Sequence, residues 1–281
     1  MCPSQFYQPC LTLVFSQPEL KLPDPLQLAM AISAVEERPH AEDVLVDIRL
    51  GQKDKLAAEV QFEGHKIKLL GASLPLPEEI TQQIISATRW QGDFKELLAA
   101  HRSQIVLSYA GKAKDGLSKM IALYKVAHAL KHSGLVGVVN ELAWTAHPVL
   151  DTLESERIRS YYDAIPFLLW FGYLKVPLND ELYWLVSKGH GVFNLPELAF
   201  LVGAGDEPAV LMNHLFNVFY YLLKVDGNLK AGDTLEMSRG GAFFRVNEMP
   251  DLPGLAERQV VPEATLFLEP ILPDQKADTN Y

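Results

Sequence analysis

Residues 181–201 read ELYWLVSKGHGVFNLPELAFL, and this stretch decides the fold of the C-terminal part of the chain. Its first apolar run, 182–186, combines aromatic and aliphatic residues in a way typical of a buried β-strand. A Gly-His-Gly turn at 189–191 interrupts this run, and a second apolar run begins at Leu195. The pattern predicts two strands joined by a polar link. We expect the link to face solvent or a partner, because loops between buried strands usually lie at the surface.

The composition is that of an ordinary globular protein. With 48% hydrophobic and 21% charged residues, the 281-residue chain can form a substantial core as one large domain or two halves. The net charge of −10 argues against a general nucleic-acid surface, because phosphate binding needs clustered Lys and Arg. An acidic surface is compatible with solubility alone or with binding of a basic protein partner.

The cysteines and the chain start indicate the compartment. Cys2 and Cys10 have no partner elsewhere in the chain, and a disulfide between them would close only a small loop. No Cys/His cluster has the spacing of a zinc site, so no metal or cofactor is predicted. There is neither a signal-peptide pattern nor an apolar run approaching 18 residues. We therefore expect a cytoplasmic protein without membrane insertion.

We predict the fold class α+β, with two packed halves that each have a mostly antiparallel sheet covered by helices. The N-terminal half, 1–145, is predicted to contain strands at 11–15, 44–50, 56–62, 65–70, 105–109 and 135–139 and helices at 25–35, 78–88, 94–101 and 114–132. The strand–helix–strand unit from 105 to 139 favours direct parallel pairing of its two strands through a right-handed crossover.

Residues 146–164 have a weaker apolar signal and many charges, which predicts a helical connector on the surface. The C-terminal half, 165–281, is predicted to have strands at 167–175, 181–187, 197–202, 234–238, 242–246 and 265–268 and a helix at 208–225. The helix is apolar almost all round, so we expect it to be buried on most sides, including Leu215, Phe219 and Leu222.

The candidate binding residues are His190, Asn194 and Glu197, the polar side chains of the link. His190 between two glycines suits an acid–base or contact role, although an exposed turn histidine is the simpler interpretation. Glu197 suits a general base, a partner anchor or a plain strand-start carboxylate. If it anchors a partner, charge reversal at Glu197 should weaken binding and leave the fold intact. No residue is assigned as catalytic.

Two other polar positions have structural interpretations. His101 follows a predicted helix, where the helix dipole would favour its cation and a capping role. Asp233 lies in a Gly-Asp-Thr turn, 232–234, in which its side chain is expected to bond the backbone. The sequence contains none of the motifs GxSxG, GxxxxGK[ST], HExxH or GxGxxG. The glycines at 203 and 205 precede a helix, but Asp206 and Glu207 would repel a phosphate there.

Residues 187–198, SKGHGVFNLPEL, resemble the domain of unknown function 4261, an uncharacterised and mostly bacterial family. The glycine at 189, the phenylalanine at 193 and Pro-Glu-Leu at 196–198 match the family pattern, whereas Asn194 replaces its usual glycine. The likeness is strongest between about 165 and 250. The resemblance implies a fold rather than a reaction, because its motifs are mainly Gly, Pro and turn residues. By analogy, members are similar to small intracellular α+β proteins found beside bacterial toxin systems.

Two functions remain open. The first is a non-enzymatic intracellular protein-binding module, such as an immunity-type or accessory protein of a bacterial toxin or secretion system. The second is a hydrolase or transferase whose site unites His190, Glu197 and Asp233, which requires a His–carboxylate contact in a concave pocket. The missing catalytic motifs and the acidic composition favour the first function.

Overall fold

The computed structural model describes residues 8–35, 41–50, 55–149, 152–225, 229–237, 241–250 and 265–272. The chain divides into two units, Tyr7–Trp170 and Phe171–Tyr281. Each unit contains one β-sheet with helices, and the pairings are mostly antiparallel. The predicted α+β class is thereby confirmed. Cys2, which the disulfide argument concerned, lies outside the described residues.

The described part of the first unit holds one seven-stranded sheet. Its strands are β1 (Cys10–Phe15), β2 (Leu45–Leu50), β3 (Lys55–Phe62), β4 (His65–Ala72), β5 (Ser103–Tyr109), β6 (Leu135–Asn140) and β7 (Thr145–Pro148). Its helices are α1 (Pro25–Ser33), α2 (Glu78–Ala87), α3 (Asp93–Ala99), α4 (Gly116–Ala129), α5 (Ser155–Ser160) and α6 (Phe167–Trp170). The strand order is β2-β3-β4-β5-β1-β6-β7, and all neighbours are antiparallel.

Local sequence explains the starts of two helices. The Asp24 side chain accepts the backbone N–H groups of Leu26 and Gln27, and Pro25 occupies the first turn of α1. The Asp115 side chain accepts the N–H of Ser118 in the same way at α4. Since the first N–H groups of a helix have no partner within it, these side chains stabilise the ends that the sequence predicted.

The predicted direct pairing of β5 with β6 is wrong. Both strands pair antiparallel with β1, which lies between them, so β5 and β6 run parallel without touching as neighbours. Residues 11–15 of β1 are buried on both faces of the sheet, as a central strand should be. The first strand in the sequence, β1, therefore occupies the position between β5 and β6, where the crossover prediction placed no strand.

The predicted connector, 146–164, lies within the first unit. Its start belongs to β7 at the edge of the sheet, and only Ser155–Ser160 forms a helix. Leu153 and Ile158 are fully buried, so the expectation of a surface helix along the whole segment is wrong. The chain passes from the first unit to the second between Trp170 and Phe171.

The second unit has strands β8 (Gly172–Pro177), β9 (Tyr183–Lys188), β10 (Glu197–Val202), β11 (Thr234–Glu236), β12 (Phe243–Glu248) and β13 (Thr265–Ile271) and the helix α7 (Pro208–Val225). The order is β11-β12-β13-β10-β9-β8, with β10 and β13 parallel and the other pairs antiparallel. The predicted strand 167–175 begins instead as α6, because the Pro166 carbonyl accepts the N–H groups of Leu169 and Trp170.

Helix α7 packs one face on the second sheet. Leu215, Phe219 and Leu222 are buried, which confirms the prediction for these side chains. By contrast, Val210 and Tyr221 are 44% and 54% exposed, so the expectation of burial on most sides is wrong. The sheet supplies a single apolar surface to the helix, and side chains on the opposite side of α7, such as Val210 and Tyr221, face outward.

Candidate functional site

The link between β9 and β10 reverses the chain through one turn of 3₁₀-helix, His190–Phe193. Gly189 precedes this turn with φ 111°, and Asn194 follows it with φ 58°. Glycine adopts positive φ without steric cost, and asparagine tolerates the left-handed region better than most residues. Gly189 and Asn194 therefore permit the sharp turn that the Gly-His-Gly sequence predicts.

The carboxylate of Glu197 holds this turn together. Its Oε1 accepts the backbone N–H of Gly189 over 2.7 Å and that of His190 over 3.0 Å. Its Oε2 accepts the hydroxyl proton of Ser187 over 2.7 Å. We call Ser187, Gly189, His190 and Glu197 the Glu197 clamp. Three donors from one turn converge on a side chain that is only 8% exposed.

Ser187 joins the two strands where their backbone pairing stops. The last paired residues are Val186 and Ala199, and beyond them the N–H of Leu198 donates to Ser187 Oγ over 2.8 Å. Ser187 is fully buried. Its hydroxyl oxygen accepts the N–H of Leu198 and its proton is donated to Glu197, so the hydroxyl is satisfied without water. Sequence reasoning did not select Ser187 as a site residue. The sequence feature that could have identified Ser187 is a hydroxyl residue at the end of an otherwise apolar strand.

His190 lies inside the protein, with 1% of its surface exposed. Its Nδ1 donates to the Pro196 carbonyl over 3.1 Å and lies 3.8 Å from Glu197 Oε2, too far for a direct hydrogen bond. The rings of Phe171 and Phe219 contact the imidazole at centroid distances of 5.2 and 4.7 Å. Burial lowers the pKa of His190, against the opposing effects of Glu197 and Pro196. The expected exposed turn histidine is wrong.

Lys188 completes the polar group at the end of β9. It is 5% exposed, and burial lowers the pKa of its ammonium group, whereas the carboxylate of Glu197 opposes this shift. A lysine next to an apolar strand is usually a solvated residue. Here the lysine is buried at the end of a strand, close enough to Glu197 for the carboxylate to favour its charged form.

Among the three candidate binding residues, the structure exposes only Asn194. His190 and Glu197 were expected to face solvent or a partner, and both are buried. The reason is local, because the turn itself supplies the donors that the Glu197 carboxylate would otherwise take from water. Charge reversal at Glu197 is therefore no longer a neutral test of binding, since it would break the clamp.

Asp233 does not join the clamp. Its Oδ2 accepts the N–H of Lys230 over 2.8 Å, and its carbonyl accepts the N–H of Val246. This confirms the expected turn role, and no hydrogen bond within the described residues links Asp233 to His190 or Glu197. Folding thus brings together two members of the hypothetical hydrolase set and leaves out the third.

The clamp also lacks the geometry of an activated nucleophile. That chemistry needs the hydroxyl to donate to the imidazole and the imidazole to donate to the carboxylate. In this protein Ser187 Oγ lies 3.3 Å from His190 Nδ1, but the Ser187 hydroxyl donates its proton to Glu197 over the shorter distance of 2.7 Å. His190 Nδ1 donates to the Pro196 carbonyl and not to the carboxylate. The arrangement is suited to stabilising the link rather than to moving a proton toward a substrate.

Buried histidines of the first unit are likewise held as neutral hydrogen-bonding groups. His101 donates from Nδ1 to the Leu98 carbonyl over 2.6 Å, and its Nε2 accepts the N–H of Leu76 over 2.8 Å. Burial lowers the pKa of His101, so the expected cation at a helix end is wrong. His147 accepts the Tyr124 hydroxyl at Nε2 over 2.7 Å, and burial lowers the pKa of His147 to about 4.

Within the ranges that the structure describes, no group of three or more His, Cys, Asp or Glu side chains could hold a metal ion. No helix in these ranges is long and apolar enough to cross a membrane.

Residues 186–260 match the family model described as Domain of unknown function (DUF4261). The match begins one residue before Ser187 and includes the whole Glu197 clamp, which confirms the family resemblance. The DUF4261 segment also contains β10, α7, β11 and β12, so it covers much of the second unit. The family description names no reaction or ligand. No curated protein and no solved structure matches the chain.

Proposed function

We propose that the protein is an intracellular protein-binding module for a basic partner. The observation that carries this proposal is a pair of adjacent acidic loops at one end of the second sheet. The β8–β9 loop contains Asp180 and Glu181, and the β10–α7 loop contains Asp206 and Glu207. All four carboxylates are exposed. We call these four residues the acidic end.

The two loops lie side by side. The strands β9 and β10, which adjoin these loops, pair up to Tyr183 and Val202, the residues next to the loops. A methyl group added at Gly203 would lie 3.3 Å from Leu182 Cδ2, so the Leu182 side chain of one loop lies next to the backbone of the other. Four carboxylates on adjoining loops create a negative field that attracts a basic surface and speeds its association.

Both loops are held by their own side chains. The Asn179 side chain accepts the N–H groups of Glu181 and Leu182 over 2.9 Å each. The Asp206 carboxylate accepts the N–H of Gly203 over 2.7 Å. These turns order the loops before a partner binds. The loops therefore lose less conformational entropy on binding.

Exposed apolar side chains adjoin the acidic end. Leu178, Leu201 and Val210 are 50%, 40% and 44% exposed, and each lies within a few residues of an acidic loop. A mixture of apolar contact residues and peripheral charges is the composition expected for a protein-binding surface. A site for a small cation would not need these apolar neighbours.

The distribution of charge along the chain also supports this unit as the binding part. Residues 171–281 contain 15 Asp and Glu against 8 Lys and Arg, whereas residues 1–170 contain 20 against 17. The second unit therefore carries most of the net charge of −10. In its most specific form, the proposal is an immunity-type or accessory role in which the partner is a basic toxin or secretion component.

The test compares two variants that lose the same number of charges. The first neutralises the acidic end with Asp180→Asn, Glu181→Gln, Asp206→Asn and Glu207→Gln. The control neutralises the exposed acids of the first unit with Glu42→Gln, Asp43→Asn, Glu78→Gln and Glu79→Gln. Each protein is immobilised and exposed to an extract of its source cells, and retained proteins are identified and then titrated in purified form.

We expect a basic protein to bind the wild type and the control, and to bind the acidic-end variant at least about tenfold more weakly, mainly through slower association. The difference should shrink as salt is raised, because the Debye length falls from about 10 Å at 0.1 M to about 3 Å at 1 M. Equal affinity for the two variants would refute this surface. A retained partner of acidic character would refute the charge argument.

A further inference from the structure

The outer face of β2–β5 in the first unit is open. Alternate residues of these strands point inward, and those of β3 (Leu56, Ala58, Val60 and Phe62) are buried. The outward residues form cross-strand rows, given by the registers of β2 with β3, β3 with β4 and β4 with β5. We call this surface the open face; its main residues are Leu45, Asp47, Ala57, Glu59, Gln61, Lys66, Lys68, Leu70, Val106 and Ser108.

In the part of the chain that the structure describes, α2 and α3 cover the neighbouring part of the same side of the sheet, at β1, β6 and β7. Residues of α2 and α3, including Ile84 and Phe94, pack with Val14 of β1, Val139 of β6 and Ala146 of β7. On the open face, Leu45 and Leu70 remain 64% and 59% exposed. Two large apolar side chains on a regular sheet surface favour association with another flat surface.

The rows of the open face are complementary to themselves. In one row Glu59 of β3 lies opposite Lys68 of β4, and in the next row Ala57 lies opposite Leu70. A twofold axis can be placed above the open face, midway between β3 and β4 and parallel to them. Rotation about this axis would place each cross-strand row over the same row of a second copy. Glu59, which already binds Lys66 of its own chain over 2.6 Å, would then also face the second copy's Lys68, and Leu70 would face its small Ala57.

From this match of charge and size we infer that a second copy of this chain covers the open face. The two sheets would pack face to face about 10 Å apart, in the aligned arrangement common for stacked sheets. A twofold interface needs a surface that is complementary to itself, which this face is where the acid Glu59 of β3 lies beside Lys68 of the neighbouring β4.

The area limits the strength of this dimer. Four strands about 4.8 Å apart and six to eight residues long present a face of roughly 15 by 25 Å. This is small compared with the roughly 800 Å² that each partner contributes to a standard interface. The dimer is therefore weak, with a dissociation constant in the micromolar range or above, and its population changes with concentration.

The experiment is sedimentation velocity of the full chain between about 1 and 500 µM, a range that brackets a weak dissociation constant. The variants are Lys68→Glu, Glu59→Lys, the double exchange and Leu70→Ser, with Lys114→Glu as a charge reversal outside the sheet. Leu70 is exposed, so Leu70→Ser changes the surface without opening the core. Circular dichroism at the same concentrations checks that each variant is folded.

We expect the wild type and Lys114→Glu to shift from monomer to dimer, and the Lys68→Glu, Glu59→Lys and Leu70→Ser variants to remain monomeric. The double exchange restores the opposite charges and should dimerise again. A wild type that stays monomeric throughout, or a dimer that persists in all the variants, overturns the inference. Capture of a different protein on this face by a monomeric wild type also overturns it.

Discussion

The hydroxyl of Ser187 donates to Oε2 of Glu197 across ten residues of sequence, over 2.7 Å. The same carboxylate accepts the N–H groups of Gly189 and His190, so one side chain sets the conformation of the whole link. Ser187 in turn accepts the N–H of Leu198 and continues the strand pairing by a side chain. The polar residues of the link therefore serve the fold first, and binding surfaces must be sought elsewhere on the protein.

Replacing Glu197 by alanine should lower the free energy of unfolding by about 3–5 kcal/mol. The change leaves two buried N–H groups and the Ser187 hydroxyl without their acceptor, and each unsatisfied buried group costs about 1–3 kcal/mol. Urea unfolding at pH 7.5 measures the loss. Glu207→Ala, at an exposed position, is the control and should change stability by less than about 0.5 kcal/mol. Equal stability of the two variants would contradict the clamp.

Replacing Gly189 by valine should destabilise the protein by about 1–3 kcal/mol, because the backbone there has φ 111° and a β-branched residue is strained at positive φ. Gly205→Val is the matched control, since a Cβ at Gly205 meets no atom within 4 Å and the backbone has no positive φ. Thermal unfolding distinguishes the two. If both variants melt at the wild-type temperature, the turn does not depend on glycine at 189.

Truncation of Phe219 to alanine should cost about 3–5 kcal/mol of unfolding free energy, as is usual for a large core aromatic. Phe219 is fully buried and contacts the rings of Phe171, Phe193 and His190 at centroid distances of 4.6, 5.2 and 4.7 Å. Tyr221→Ala on the same helix is the control, because Tyr221 is 54% exposed. A smaller loss for Phe219→Ala than for Tyr221→Ala would refute the packing of α7.

Acidification should destabilise the protein through His147. Burial lowers the pKa of His147 to about 4, whereas a histidine in the unfolded chain titrates near 6.5, so between these values the unfolded state binds more protons. Stability is therefore complete above about pH 6.5 and is lost as pH falls toward 4, by about 3 kcal/mol for a shift of this size. Burial lowers the pKa of His190 and of His101 as well, which adds effects of the same sign.

Urea unfolding between pH 7.5 and 4.5 tests this effect in the wild type, His147→Gln and the exposed control His132→Gln. We expect the wild type and His132→Gln to lose stability with the same slope. His147→Gln should be less stable at pH 7.5, because it loses the Tyr124 hydrogen bond, and should show a shallower slope. Identical slopes for all three proteins would show that His147 does not titrate in this window.

The sequence alone was sufficient for most of the local structure. Period and capping residues predicted α1, α4 and α7, and apolar alternation predicted strands such as β3 and β10. These features depend on residues within a few positions of each other, which a single sequence displays directly. The need for positive φ near 190 was equally local, because a sharp link containing two glycines leaves few other conformations.

The tertiary structure alone decided which residues meet. The first strand, β1, inserts between β5 and β6. The residue pattern within β5 or β6 does not reveal that β1 separates them. The burial of His190 and Glu197 was missed for the same reason, because the Phe171 and Phe219 rings and the Ser187 hydroxyl reach the link from other elements. A polar residue in a predicted turn is exposed only if nothing else in the fold satisfies it, and that condition is set by contacts distant in sequence.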